Sequence, residues 1–144
     1  MIYLLEKEKI EKCWDIIEEG VKLSLPPALL QDKESMNYVK AALLKGDLTC
    51  WIGTGETKDD IRGICITAIS VDVGTRTKSL LIYALYAYEL IPKETWYEGM
   101  VMLKEFARKM ECNNITAFSS NKRALGVAEK LNGDTNTRFI MFDV

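Results

Sequence analysis

The sequence predicts a mixed α/β (α+β) domain with a mostly antiparallel sheet, in the order β-α-α-β-β-β-α-β-α-β. Three observations predict it. Between Leu48 and Tyr88, three apolar runs are separated by two polar turn segments, Gly53–Asp60 and Gly74–Lys78, which is the pattern of an antiparallel meander. Before and after the meander, apolar residues recur at helical spacing. The last meander run, Ser79–Tyr88, is apolar at both parities, as in a strand covered on both faces. A long helix and a short strand follow it, so a parallel neighbour is expected after the crossover.

The elements are justified in order. Met1–Leu5 is a short apolar run and reads as a first strand. Ile10, Trp14, Ile17 and Val21, with Cys13 and Ile16 beside them, form one helical stripe. Pro26-Pro27 cannot continue that helix. A second helix spans about Glu34–Lys45, with Met36, Val39 and Leu43 inward and Gly46 as its stop. The meander strands are Leu48–Ile52, Ile61–Val73 and Ser79–Tyr88. A long helix is expected from Thr95 to Met110. Thr95-x-x-Glu98 has the form of a capping box, and Trp96, Met100, Leu103, Ala107 and Met110 form the core face. Asn114–Phe118 is the next strand. Ser119 or Ser120 is expected to cap a helix through Leu131, which Asn132-Gly133 ends. Arg138–Asp143 is the predicted last strand. No repeat, linker or low-complexity segment divides residues 1–144, which read as a single domain.

Composition narrows the chemistry. The chain has 144 residues, 19 basic and 21 acidic, and no histidine. Triads with His and His-bearing metal sites are therefore excluded, and acid–base work falls to carboxylates, Tyr, Cys, Lys or water. Cys13, Cys50, Cys65 and Cys112 lack zinc-ligand spacing, so no metal site is expected. Reduced thiols are expected, with Cys50 and Cys65 the one pair placed for a disulfide across a hairpin. The clusters Lys104/Arg108/Lys109 and Lys122/Arg123 lie on helices among acidic residues and read as solvated faces, so no nucleic-acid partner is expected. No apolar run approaches the roughly 20 residues of a membrane span. The N-terminal run meets Glu6-Lys7-Glu8-Lys9 at once, too short and too acidic for a signal peptide. A cytoplasmic location, or one in an intracellular assembly, is the expectation.

This order of elements, with Asn121-x-x-Ala124 opening the last helix, resembles the GNAT N-acetyltransferase superfamily over essentially the whole chain. The resemblance implies an acetyl-CoA pyrophosphate held at the start of the long helix by a glycine-rich turn, where free N–H groups meet the phosphate. The corresponding stretch, Glu89–Glu98, has no glycine and carries Glu94 and Glu98. The resemblance also implies a tyrosine seven residues beyond the Asn, to protonate the leaving thiolate. That position is Ala128, and the neighbouring Glu129 belongs to another helix face. A general-base carboxylate is implied on the central strands, but Leu80–Tyr88 has none. Tyr83, Tyr86 and Tyr88 are the hydroxyls available there, and Glu89 follows them.

The departures favour a GNAT-like protein that has lost acetyl-CoA catalysis. It would act by binding, through a protein partner or as a homo-oligomer, with no cofactor and no residue assigned as a catalyst. The runs Leu81–Tyr86 and Thr137–Phe142 resemble degenerate GNAT-like proteins of tailed phages, which implies an assembly or virion role. The alternative is a divergent N-acyltransferase that acetylates an amine. It would hold the pantetheine of acetyl-CoA at Tyr88 and nearby backbone, the pyrophosphate at the Thr95 and Trp96 amides, and the cofactor again at Asn121.

Overall fold

A computed structural model describes residues 1–119 and 121–144. The elements are β1 (Ile2–Leu4), α1 (Lys7–Ser24), α2 (Lys33–Lys45), β2 (Leu48–Thr54), β3 (Ile61–Val71), β4 (Lys78–Ala87), α3 (Lys93–Lys109), β5 (Asn114–Ala117) and α4 (Lys122–Lys130). The strands form one sheet in the order β1-β2-β3-β4-β5. The first three pairings are antiparallel, and β5 joins β4 in parallel after the α3 crossover.

Alternation along the strands builds a core on each face of the sheet. Cys50, Ile52, Ile64, Ile66 and Ala84 pack with Ile10, Ile17 and Val21 of α1 and Met36, Val39 and Leu43 of α2. Trp51 and Leu80 pack with Leu103 and Ala107 of α3. The Trp51 indole N–H, which would otherwise be a buried orphan, donates to Thr67 Oγ1 at 3.1 Å. The Trp51 ring meets Phe106 edge-on at 5.1 Å. Cys50 lies opposite Ile66, and Cys65 lies opposite Trp51. The two thiols therefore face opposite sides of the sheet, and all four cysteines are free.

Helix ends follow local chemistry. The α1 helix stops at Leu25, whose extended backbone (ψ 141) is what a following proline demands. The α2 helix is capped by Asp32, which accepts from the Ser35 N–H at 2.8 Å, and is closed by Gly46 at φ 93. The α3 helix starts at Lys93, earlier than the Thr95 capping box would place it. Pro92 is its N-cap, and the Thr95 N–H donates to the Pro92 carbonyl at 3.1 Å. Proline stops the extended chain and pre-sets φ for a helix, so Thr95 is already inside the first turn and no side chain caps it. The cap of α4 is Asn121, whose Oδ1 accepts from Arg123 and Ala124 at 2.9 and 3.4 Å. Ser119 instead accepts from the Asn121 N–H at 3.1 Å, and Ser120 lies outside the described residues.

Two further expectations are corrected. Arg138–Asp143 forms no strand. A strand needs a ladder partner, and none pairs with this segment among the described residues; the Phe139 ring lies 5.3 Å from that of Phe118 just beyond β5. Its side chains from Phe139 to Phe142 stay exposed. β4 is not covered evenly on both faces either. Leu80 and Ala84 are buried, but Leu85 is exposed and most of the other residues are half-buried.

The reason lies in a β-bulge. Ile66 pairs with Ala84, and Thr67 with Ile82, so Tyr83 is an extra residue in β4. The parallel pairing with β5 ends at the same point, at Ile82↔Ala117. Beyond it, among the described residues, no strand pairs with the β4 main chain on that side.

Candidate functional site

The fork between β4 and β5 opens a cavity of about 360 Å³. Its walls come from both faces of the sheet. On one side stand Thr95, Trp96 and Gly99 from the start of α3, with Ala124, Val127 and Ala128 from α4. On the other stand Leu23, Leu25 and Pro26 at the end of α1, with Tyr83 and Tyr86 of β4. Among the described residues, no Asp, Glu, Lys or Arg lines it. Its polar side-chain groups are hydroxyls, the indole N–H groups of Trp51 and Trp96, the Cys65 thiol and the Asn121 amide, beside main chain.

Three of the four residues singled out for binding meet here. Thr95, Trp96 and Asn121 all line the cavity, although they come from α3 and from the start of α4. Asn121 Oδ1 is engaged in capping, which leaves its amide N–H₂ for other partners. Tyr88 does not join them. It packs on the α1/α2 face, and its hydroxyl donates to the Ile16 carbonyl. Gly20 of α1 makes room for it, since a Cβ there would meet the Tyr88 oxygen at 2.6 Å. Desolvation, with the nearby Glu19 charge adding to it, pushes the Tyr88 hydroxyl well above the usual tyrosine range.

Glu94 stands in the first turn of α3. Glu94 and Glu98 are exposed and lie off the cavity wall. Lys93 places its ammonium 5.6 Å from the centre of the Tyr97 ring. Ala128 lines the cavity, while Glu129 accepts a hydrogen bond from Thr135 at 3.0 Å outside it.

The sequence does not mark the bulge, and with it Tyr83 gains its place. Tyr83 is half-buried, faces the cavity, and makes no side-chain hydrogen bond among the described residues. Burial pushes its hydroxyl above the ordinary tyrosine value, so it stays protonated through neutral pH. Tyr86 lines the cavity next to it, edge-on to Tyr88 at 5.1 Å. Burial pushes the Cys65 thiol up to about 12, so it is no thiolate at neutral pH. Among the described residues no group of His, Cys, Asp or Glu is placed to hold a metal, and no helix is long and apolar enough to cross a membrane.

Comparison with solved structures places this architecture. The aminoglycoside N-acetyltransferase AAC(6')-Iy, in complex with the bisubstrate analogue CoA-S-monomethyl-acetylneamine, superposes with a TM-score of 0.74 at 12% identity, over 100% of this chain and 97% of that one. The fold is that of the GNAT acetyltransferases. Two further GNAT-like neighbours agree. Glucosamine-6-phosphate N-acetyltransferase from Arabidopsis thaliana gives 0.65 at 15% identity over 100% of this chain and 97% of that one. A structure of a predicted acetyltransferase with acetyl-CoA, from Clostridium acetobutylicum, gives 0.66 at 18% identity over 99% and 95%. No family model and no curated protein matches the chain. The likeness thus fixes the GNAT fold and leaves the chemistry to the residues in the fork.

Proposed function

We propose that the chain is a divergent N-acyltransferase that takes an acyl group from acyl-coenzyme A in the β4–β5 fork and passes it to an amine. The observation that carries this is the fork itself: an apolar cleft with unpaired β4 main chain on one wall and the first turn of α3 at its mouth. The residues fit the donor. A linear, amide-containing arm matches the open β4 edge, as an added strand would. The amides of the first α3 turn point a partial positive charge at a phosphate, and the exposed Glu94 and Glu98 do not line the cavity. Asn121 contributes its free amide N–H₂ and Trp96 its apolar surface.

The chemistry divides among few groups. The amine nitrogen attacks the thioester carbonyl, the carbon–sulfur bond breaks, and the thiolate needs a proton. Tyr83 is the donor on this reading, standing in for the absent tyrosine at Ala128. The burial that raises the Tyr83 hydroxyl also raises the basicity of a thiolate formed beside it, so the transfer stays nearly matched. The remaining rate comes from positioning in a dry cleft.

A second reading keeps the fold and drops the catalysis, leaving a binding or assembly component of the virion type. The exposed run Phe139–Phe142 supports it, since contiguous exposed apolar residues mark interaction surfaces. Calorimetric titration with coenzyme A and acetyl-CoA separates the two. Saturable binding with donor-dependent release of free thiol supports the transferase. No heat at millimolar coenzyme A overturns it and leaves the binding reading.

A further inference from the structure

We infer that the acceptor is an apolar amine already neutral at pH 7, an arylamine rather than an alkylammonium. The inference rests on the acyl-transfer reading above and names the substrate class of the same site.

The described lining of the cleft has no anionic group with which to hold or deprotonate an ammonium. No described lining residue is Asp or Glu, and the chain has no histidine. The carboxylates on the neighbouring elements are engaged or turned away. Glu18 pairs with Lys22 at 3.0 Å, Asp60 with Arg62 at 2.9 Å, and Glu89 with Arg62 at 3.8 Å. Asp15, Glu18 and Glu19 border a second pocket that shares Leu23 with the cavity but do not line the cavity itself, and Glu19, on the α1 side, raises the pKa of Tyr88. A cation entering so apolar a space loses much of its hydration and gains no anionic partner among the described lining residues. An alkylamine with the basicity of a lysine side chain, pKa about 10.4, is neutral in only about one molecule in 10³ at pH 7.

The wall on the α1 side is instead largely apolar. Leu23, Leu25 and Pro26 face Tyr83 and Tyr86 across it, and Leu23 is 59% exposed, an apolar side chain at the rim awaiting cover. An arylamine presents its lone pair without prior deprotonation. After attack the N–H of the adduct is strongly acidic, so water takes that proton with no general base. The new C–N bond forms as the C–S bond breaks, and Tyr83 supplies the thiolate's proton and regains one from solvent.

The test uses the whole chain with acetyl-CoA and follows thiol release, after blank subtraction, with aniline and benzylamine as acceptors of similar size. The expected result at pH 7 is a kcat/KM for aniline about 100-fold above that for benzylamine, in line with the small neutral fraction of the alkylamine. The benzylamine rate should rise about tenfold per pH unit from 7 to 9, while the aniline rate stays flat. Leu23→Glu, which places a carboxylate at the rim, should narrow the ratio. Coenzyme A is titrated into the same preparation by calorimetry. If it binds and benzylamine is used as well as aniline, or neither is used, the acceptor class is overturned and donor binding stands. If it does not bind, the acyl-transfer reading falls.

Discussion

Tyr83 is the one inserted residue of β4 and lines the cavity. Ahead of the bulge, Leu80 and Ile82 of β4 face α3; after it, Ala84 and Tyr86 face α1 and α2. A single extra residue inverts the parity of everything downstream. This is why the tyrosines of Leu81–Tyr88 could be recognised in the sequence but not allotted to faces, and why Tyr88 ended on the far side from Thr95, Trp96 and Asn121. Tyr83→Phe is expected to lower kcat about 100-fold, the low end of general-acid effects, with little change in coenzyme A affinity. Steady-state thiol release together with calorimetry checks the split. The thiols are a second case. Burial pushes both Cys50 and Cys65 up to about 12. Raised folded-state values mean that this contribution to stability is complete below the unfolded thiol value, about 8.5. It drains away as pH climbs from there toward 12. Denaturation midpoints should therefore fall above about pH 9. In the native state at pH 8, a chromogenic disulfide reagent should reach Cys50 and Cys65 last.

At the scale of elements, helix ends decide what the site presents. Asn121 holds the start of α4 by accepting two main-chain N–H groups. Asn121→Ala should cost about 1 kcal/mol in chemical denaturation, and Asn121→Ser should largely restore it, since serine caps as well. If the amide N–H₂ also binds the donor, the serine variant keeps stability and still loses coenzyme A affinity. Packing of α1 on the sheet sets a second limit. A methyl group at Gly20 would come within 2.6 Å of the Tyr88 oxygen and 2.7 Å of Ile64. Gly20→Ala is expected to destabilise by about 1–3 kcal/mol, although alanine is the better helix former. A midpoint unchanged or raised would show that α1 can lift away. The start of α3 was legible to within a turn, because a proline competes with a capping box and the rigid ring prevails. The tail was not. Arg138–Asp143 has the composition of a strand, and composition does not supply the ladder partner that makes one.

For the whole molecule, the periodicities were enough. Helical stripes, polar turns and one run apolar at both parities led to the order of elements from β1 to α4 and to β5 lying parallel beside β4. They did so because each signal reports burial, and burial is what the sheet and its helices share. The fork is different in kind. It arises where pairing stops, and no side chain announces a missing hydrogen bond. Reading glycine and tyrosine positions from the resemblance therefore pointed toward loss of function, while the backbone kept a cavity of about 360 Å³ lined by Thr95, Trp96 and Asn121.

The outer strands β1 and β5 are only 3 and 4 residues long, so a foreign strand finds little main chain to grip at either edge. The longer open stretch is internal. From Tyr83 to Ala87, β4 offers its unpaired side to a slot walled by α3 and α4 and shut at Ile82↔Ala117. The protein thus keeps its longest open stretch of strand backbone inside a cleft instead of at an outer edge.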